Sequence, residues 1–195
     1  MLKRIFDILM ALIGIILLLP IFIIISVFIK LDSSEPIFYK QIRVGLNNND
    51  FKLLKFRTMA SGSDKKSLIT IGNNDTRITK PGTFLRKYKL DELPQLINVL
   101  LGDMSLVGPR PEVRRYVSLY DKLQLRVLSV KPGITDLASI QFSNENELLK
   151  GQANPEKFYI ENIMPKKLNL NLEYIQKMNF FYDLKLIILT IKKIL

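Results

Sequence analysis

The chain has 195 residues, with 29 Lys and Arg against 18 Asp and Glu, a net charge of +11, and neither cysteine nor histidine. That composition excludes disulfides, thiolate nucleophiles and cysteine zinc sites, and it removes the commonest general base, so any catalysis rests on carboxylates, Lys, Tyr, Ser or Thr. The length suits one compact domain with peripheral segments, and the excess of positive charge calls for an anionic partner: nucleic acid, acidic lipid headgroups or phosphorylated substrates.

At the start, Lys3 and Arg4 precede an uncharged run from Ile8 to Ile29. Roughly 20 apolar residues suffice for a helix to cross a bilayer. The run is too long for the apolar part of a signal peptide, and no small-residue cleavage site follows it. Pro20 removes a backbone hydrogen bond and crowds the preceding turn, which predicts a break or kink. Lys3 and Arg4 before the run and Lys30 after it place both ends on the cytoplasmic side by the positive-inside rule. Two forms stay open: a kinked span, and a re-entrant helix–break–helix that enters and leaves one leaflet.

Residues 37–44 and 51–56 read as two strands joined by the turn-rich Gly45–Asp50 in a hairpin. A solvated edge is the ordinary explanation for Lys52, Lys55 and Arg57. Residues 61–80 are polar and turn-rich and predict a surface loop. Thr83–Tyr88 is a short helical segment that leads to Leu90–Pro111, LDELPQLINVLLGDMSLVGPRP. There the adjacent carboxylates Asp91 and Glu92 stand where a helix begins, with Pro94 in its first turn and Leu93, Leu96, Ile97, Leu100 and Leu101 at helical spacing. An N-cap with dipole complementation explains such acids. So does a site for a divalent cation or phosphate at a helix start. The corner Gly108-Pro109-Arg110-Pro111 favours the second reading: two prolines fix φ around one arginine, and a preset guanidinium suits a phosphate.

Residues 112–128 read as one helix, with Arg114, Arg115, Lys122 and Arg126 as an exposed face. Lys131–Thr135 is a turn that either presents backbone N–H groups or simply connects. Residues 144–170 are charged and helix-prone, broken near Pro155 and Pro165. Phe180–Leu195, with Lys185, Lys192 and Lys193, suits a helix in the headgroup plane or one packed on the core. The fold class is α+β: mainly helical with a small β-hairpin, membrane-associated through the N-terminal apolar run and amphipathic interfacial helices, with a membrane segment at 1–30, a central domain at 31–179 and an amphipathic C-terminal helix at 180–195.

In order, KRIFD, the apolar run with its central proline, QIRVG, KFRTM, the LDELPQL-to-GPRP stretch, PGIT and a late DLK resemble the bacterial sugar transferases. These are the monotopic phosphoglycosyl transferases that begin lipid-linked glycan assembly. The match runs from Lys3 to about Leu137 and resumes at Tyr182–Lys185, and it resembles the small form of the family. The resemblance implies transfer of a phosphosugar from a UDP-sugar to a polyprenyl phosphate such as undecaprenyl phosphate, with Mg²⁺, at the cytoplasmic face of the bacterial inner membrane. It implies Asp91 as the nucleophile that forms a covalent phosphosugar intermediate and releases UMP, and Glu92, with Asp91, as a Mg²⁺ ligand. It also implies Lys55 and Arg110 in catalysis, and Arg86, Arg43, Pro109, Pro111 and Asp183 in substrate binding. It implies, too, that 1–30 is a re-entrant membrane hairpin, a helix–break–helix with Pro20 as its break, and that 31–179 is the cytosolic catalytic domain. Membrane phospholipids are implied partners, nucleic acid is not, and a homodimer is compatible with the family's broad apolar surface.

Three features depart from the pattern. Leu19 precedes Pro20 where Ser is frequent, Asp136 follows PGIT where Gly is frequent and would put an acid toward the substrate, and residues 140–180 do not follow the small members. A rival reading takes the charge as the adhesive surface of a membrane-anchored lipid- or nucleic-acid-binding protein without catalysis. It leaves the acid pair and the locked arginine unexplained, and few aromatics interleave the basic segments for base stacking. A third keeps Asp91 as captor of the phosphosugar but lets water complete the reaction.

Overall fold

The structure is a computed structural model and describes residues 2–60, 62 and 75–194. Most of the polar stretch 61–80 therefore lies outside the described residues. Helix α1, Leu2–Asp32, leads into strands β1, Phe38–Val44, and β2, Asp50–Phe56. Helices α2, Lys80–Lys87, and α3, Gln95–Leu101, flank a tight turn at Leu90–Glu92. Strand β3, Ser105–Val107, helix α4, Arg114–Val117, and strand β4, Gly133–Thr135, follow. Helices α5, Leu137–Gln141, α6, Glu145–Lys150, α7, Pro155–Phe158, α8, Met164–Lys177, and α9, Phe180–Ile194, complete a mostly helical chain.

The predicted hairpin is present: β1 and β2 pair antiparallel from Phe38 opposite Phe56 to Val44 opposite Asp50. A second, two-stranded parallel sheet pairs Ser105 with Gly133 and Val107 with Thr135. The PGIT segment is thus a strand and not a connector. Gly133 in it and Gly108 opposite are required by close approach: a Cβ on Gly133 would lie 2.1 Å from the Gly108 nitrogen, and one on Gly108 would lie 2.4 Å from the Lys131 oxygen. Real Cβ atoms do not approach backbone so closely, so only glycine lets these chains meet.

Helix α1 is continuous through Pro20, so the expected break is a proline inside one helix and not a gap between two. Its length and apolarity suffice to cross a membrane. Yet one face is docked on the body from end to end. Lys3 donates to the Val107 carbonyl and pairs with Asp183. Arg4 donates to the Val99 and Leu100 carbonyls, satisfying the open end of α3. Asp7 accepts from the Ser105 hydroxyl and the Leu106 N–H. Farther along, Ala11 packs with Leu53, Val99 and Met104, and Phe22, Ile25 and Ile29 pack with Phe56 and Leu85. The spacing 7, 11, 22, 25, 29 is one helical stripe. The opposite face exposes Ile5, Leu9, Leu12, Ile16, Leu17 and Ile23.

Two further expectations are corrected. The helix read over 112–128 is α4 followed by a turn and a short 3-10 run at Gln124–Ser129. The Asp121 carboxylate takes the Leu123 and Gln124 N–H groups, each at 2.8 Å, and thereby competes with a continuous helix. Near Pro165 the chain does not break. One π-turn, Tyr159–Ile163, runs into α8 with Pro165 in its first turn, where the missing N–H costs nothing. Helix α9 packs on the core, burying Leu186 and Asp183, while Phe181, Ile188 and Ile191 stay exposed.

Candidate active site

Asp91 and Glu92 lie in the tight turn that precedes α3, and neither that turn nor α3 has a side-chain cap. The acids are therefore not serving as helix caps. Lys89, just before them, takes the left-handed conformation (φ 54°, ψ 22°), which costs a residue with a Cβ about 1 kcal/mol. It reverses the chain leaving α2 so that both acids and the end of β2 face one cavity of about 340 Å³.

The end of β2 is held by α3. The buried Asn98 amide accepts from the Leu54 N–H at 2.9 Å and donates to the Lys52 carbonyl at 2.8 Å. That clip sets the strand on which Lys55 stands. Lys55 Nζ reaches Glu92 Oε1 at 2.8 Å. Arg110 Nη1 reaches Glu92 Oε2 at 3.1 Å, and Arg110 Nη2 reaches Oε1, a two-pronged grip. Of the three lysines and arginines assigned to a solvated strand edge, only Lys52 is exposed. Arg57 is buried against Glu35, and Lys55 belongs to the cavity.

The two acids differ sharply. Burial pushes the Glu92 carboxyl upward, but Arg110 and Lys55 outweigh it and hold the group well below the ordinary carboxylate range. Burial raises Asp91 above its ordinary value, with Lys55 opposing and the Glu92 charge adding. Burial also lowers the Lys55 ammonium, against the pull of Glu92, while Glu92 above all raises the Arg110 guanidinium. Among the described residues, none donates a hydrogen bond to the Asp91 carboxylate. One acid is clamped by two cations; its neighbour is uncommitted on the cavity wall.

The proline corner is set from behind. Asp136 is fully buried; its Oδ2 accepts the Arg110 N–H at 3.2 Å and its Oδ1 accepts the Ser139 N–H at 2.7 Å. It faces the backbone and not the substrate, contrary to the expectation for that departure. Pro109 accepts the Gly133 N–H through its carbonyl. Arg43 donates to the Pro111 carbonyl at 3.0 Å and pairs with Glu112. Arg43 thus braces the corner and lines a second cavity of about 170 Å³ that shares Arg86 and Arg110 with the first. Pro109 and Pro111 are not walls of the larger cavity, so their part is to hold Arg110.

Arg86 lines both cavities. Asp183 does not. It is buried between Lys3 and the Tyr174 hydroxyl, 2.7 Å away, and ties α9 to the start of α1. Pro20 lies in α1, outside either cavity. Sequence reasoning missed Lys87, Lys89 and Lys167 on the cavity wall. The KYK run beside the acids was a visible signal for the first two, whereas Lys167 offered none.

Among the described residues, no group of three or more acidic side chains forms a metal cage. Mg²⁺ is ordinarily held by one or two carboxylates together with substrate phosphates and water. Asp91 and Glu92 fit that lesser role, with Asp91 offering the open oxygens. The remaining walls, with Lys55, Arg86, Lys87, Lys89 and Arg110, suit a diphosphate.

Residues 1–195 match the family described as bacterial sugar transferase. The chain is 39% identical over 194 residues to an uncharacterized sugar transferase, EpsL, of Bacillus subtilis (strain 168), covering 100% of this chain and 87% of that protein. It is 38% identical over 198 residues to the UDP-glucose:undecaprenyl-phosphate glucose-1-phosphate transferase of Escherichia coli (strain K12), covering 99% of this chain and 40% of that protein. It is 36% identical over 196 residues to the UDP-N-acetylgalactosamine-undecaprenyl-phosphate N-acetylgalactosaminephosphotransferase of Aeromonas hydrophila, covering 99% and 43%.

Proposed function

The chain belongs to the bacterial sugar transferase family, and from that premise we propose that it transfers a sugar 1-phosphate from a UDP-sugar to undecaprenyl phosphate through a covalent Asp91 intermediate. The observation that carries this reading is the division of labour in the acid pair. Glu92 is immobilised by Lys55 and Arg110, while Asp91 keeps a free carboxylate on the same cavity.

One Asp91 oxygen attacks the phosphorus that bears the sugar. The new O–P bond forms as the bridging P–O bond breaks, and UMP leaves with the electron pair of that bond. Then an oxygen of the acceptor phosphate attacks the same phosphorus, the Asp91–phosphorus bond breaks, and the carboxylate is restored. Both nucleophiles are anions already, so neither half-reaction needs a general base. A chain without histidine is suited to that chemistry. Arg110 and Lys55, preset by the corner and by β2, hold the donor phosphates without reorganising. Asp91 and Glu92 would hold Mg²⁺, whose charge would neutralise part of the diphosphate.

We place the reaction at the cytoplasmic face of the inner membrane, with α1 entering and leaving one leaflet. The support is its docked face. A helix bonded to a polar body at Lys3, Asp7 and Ile29 would drag that body into the hydrocarbon if it crossed the bilayer. Lying in one leaflet, α1 gives its apolar outer face to lipid and keeps the body in water. The acceptor is itself a membrane lipid, so the reaction would proceed at the surface where α1 rests.

The test is intact mass of the detergent-solubilised protein after incubation with UDP-sugars and Mg²⁺ without acceptor. A phosphosugar adduct that Asp91→Asn abolishes is the expected result. Acceptor-dependent UMP release without any adduct would overturn the covalent step, and repeated UMP turnover without the acceptor, beyond one equivalent per enzyme, would make the enzyme a hydrolase.

A further inference from the structure

The dyad cavity has two walls of different chemistry. One is the cationic wall described above. The other comes from the segment 139–167, most of which lies in the stretch 140–180 whose sequence departs from the small members of the family. It consists of Ser139, Phe142, Ser143, Glu145, Asn146 and Lys167. Glu145 and Lys167 pair at 2.8 Å across α6 and α8, with side chains only 27% and 12% exposed. Glu145, Asn146 and Lys167 also border the second cavity, so they stand at the junction of the two.

We propose that this second wall recognises the sugar of the donor and determines which UDP-sugar is used; the proposal rests on the transferase reading above. The phosphorus attacked by Asp91 is the one that carries the sugar, so the ring must lie within about one residue's reach of that carboxylate, on a wall of the same cavity. The cationic wall is matched to phosphate oxygens. The second wall offers what vicinal hydroxyls need. Hydroxyls of Ser139 and Ser143 and the Asn146 amide both donate and accept, Glu145 accepts, and Lys167 donates. Among the described residues, none hydrogen-bonds the Asn146 amide, whereas the Glu145–Lys167 pair holds its two groups in fixed register. Phe142, half-buried, gives a ring face for the C–H side of a pyranose. A stacking slot for uracil is not what the junction supplies: Tyr116 and Tyr159, which border the second cavity, are 4% and 5% exposed and packed against each other with centroids 5.2 Å apart.

A wall built to bond a particular hydroxyl discriminates strongly against an epimer that leaves its polar groups unpaired. Asn146→Ala and Glu145→Gln are therefore assayed with UDP-glucose, UDP-galactose and their N-acetylamino counterparts, and UDP itself is titrated as a ligand without sugar. The expected result is a loss of about tenfold or more in kcat/KM for the preferred donor and a flattened ratio among epimers. The affinity for UDP should change less than about twofold. Asn146→Ala removes no ion pair, so it guards against misfolding of the Glu145 variant. Equal losses for UDP and for UDP-sugars would show that the wall holds the nucleoside and overturn the proposal. So would unchanged donor ratios in both variants. No turnover of any donor by the unaltered chain would overturn the transferase reading, and this one with it.

Discussion

Two buried clusters join distant parts of this chain through acids and cations, and they are built on opposite plans. At the start of α1, Asp183 accepts from both Lys3 and the Tyr174 hydroxyl, and Asp7 takes the Ser105 hydroxyl and the Leu106 N–H. Every carboxylate there is satisfied. At the dyad, Glu92 absorbs two cations and Asp91 is left over beside open space. Burial of an acid therefore does not itself mark a reacting group. The satisfied acid is a fastening, and the unsatisfied one is where we propose that the chemistry occurs.

Substitutions at the two clusters separate those roles. The largest effect is expected for Asp91→Asn, with transfer falling about ten-thousandfold, as for other nucleophile or dyad losses. The fold should survive: the folded Asp91 pKa is raised, so its ionisation opposes folding at neutral pH, and the variant should melt at or above the parent temperature. Because the rate needs the ionised form, the acid limb of the parent's pH profile should lie above the ordinary aspartate value of 3.8. Glu92 has the opposite sign. Its pKa is depressed, so its stabilisation is complete above its ordinary 4.5 and is lost as pH falls through the lower folded value, which acid melting curves would detect.

Next comes Asp183→Asn, which leaves Lys3 without its anion and should cost about 2–3 kcal/mol in denaturant unfolding, at the low end for a broken buried pair because Lys3 is partly exposed. The folded fraction should keep its kcat. A folded but inactive Asp183→Asn protein would break the contrast. Arg110→Lys loses the two-pronged grip on Glu92 and should lower kcat/KM about fiftyfold with little change in melting. The smallest change is expected for Lys89→Gly, which relieves the left-handed backbone and should add about 1 kcal/mol of stability. Calorimetry reads it directly.

The hairpin, the acid pair and the proline corner were legible because each is written in neighbouring residues: two strands joined by an Asn-rich turn, adjacent acids before an apolar helical run, and prolines beside one arginine. The partners of those groups were not. Asp183 and Lys3 stand 180 positions apart, and Asp136 meets Arg110 only because β3 and β4 pair in parallel. Three-residue strands carry too little alternation to be seen, and the Asp121 side chain, past the end of α4, competes for backbone N–H groups that a periodicity count ignores. The motifs announced a chemistry; the contacts that aim it had to be observed.

The docked stripe of α1 bears on how this enzyme can be handled outside a membrane. Ala11, Phe22, Ile25 and Ile29 complete the body's interior, and burying a large apolar side chain such as Phe or Ile contributes about 1.5–3 kcal/mol. Deleting the first 32 residues to obtain a detergent-free preparation would open that interior and release Arg4 from the end of α3. Recoding part of its exposed apolar side instead, with Leu9, Leu12, Ile16 and Ile23 replaced by Glu and Lys, leaves the inward stripe intact. A helix so rewritten would shed apolar outer surface while the contacts that support the cavity stay in place.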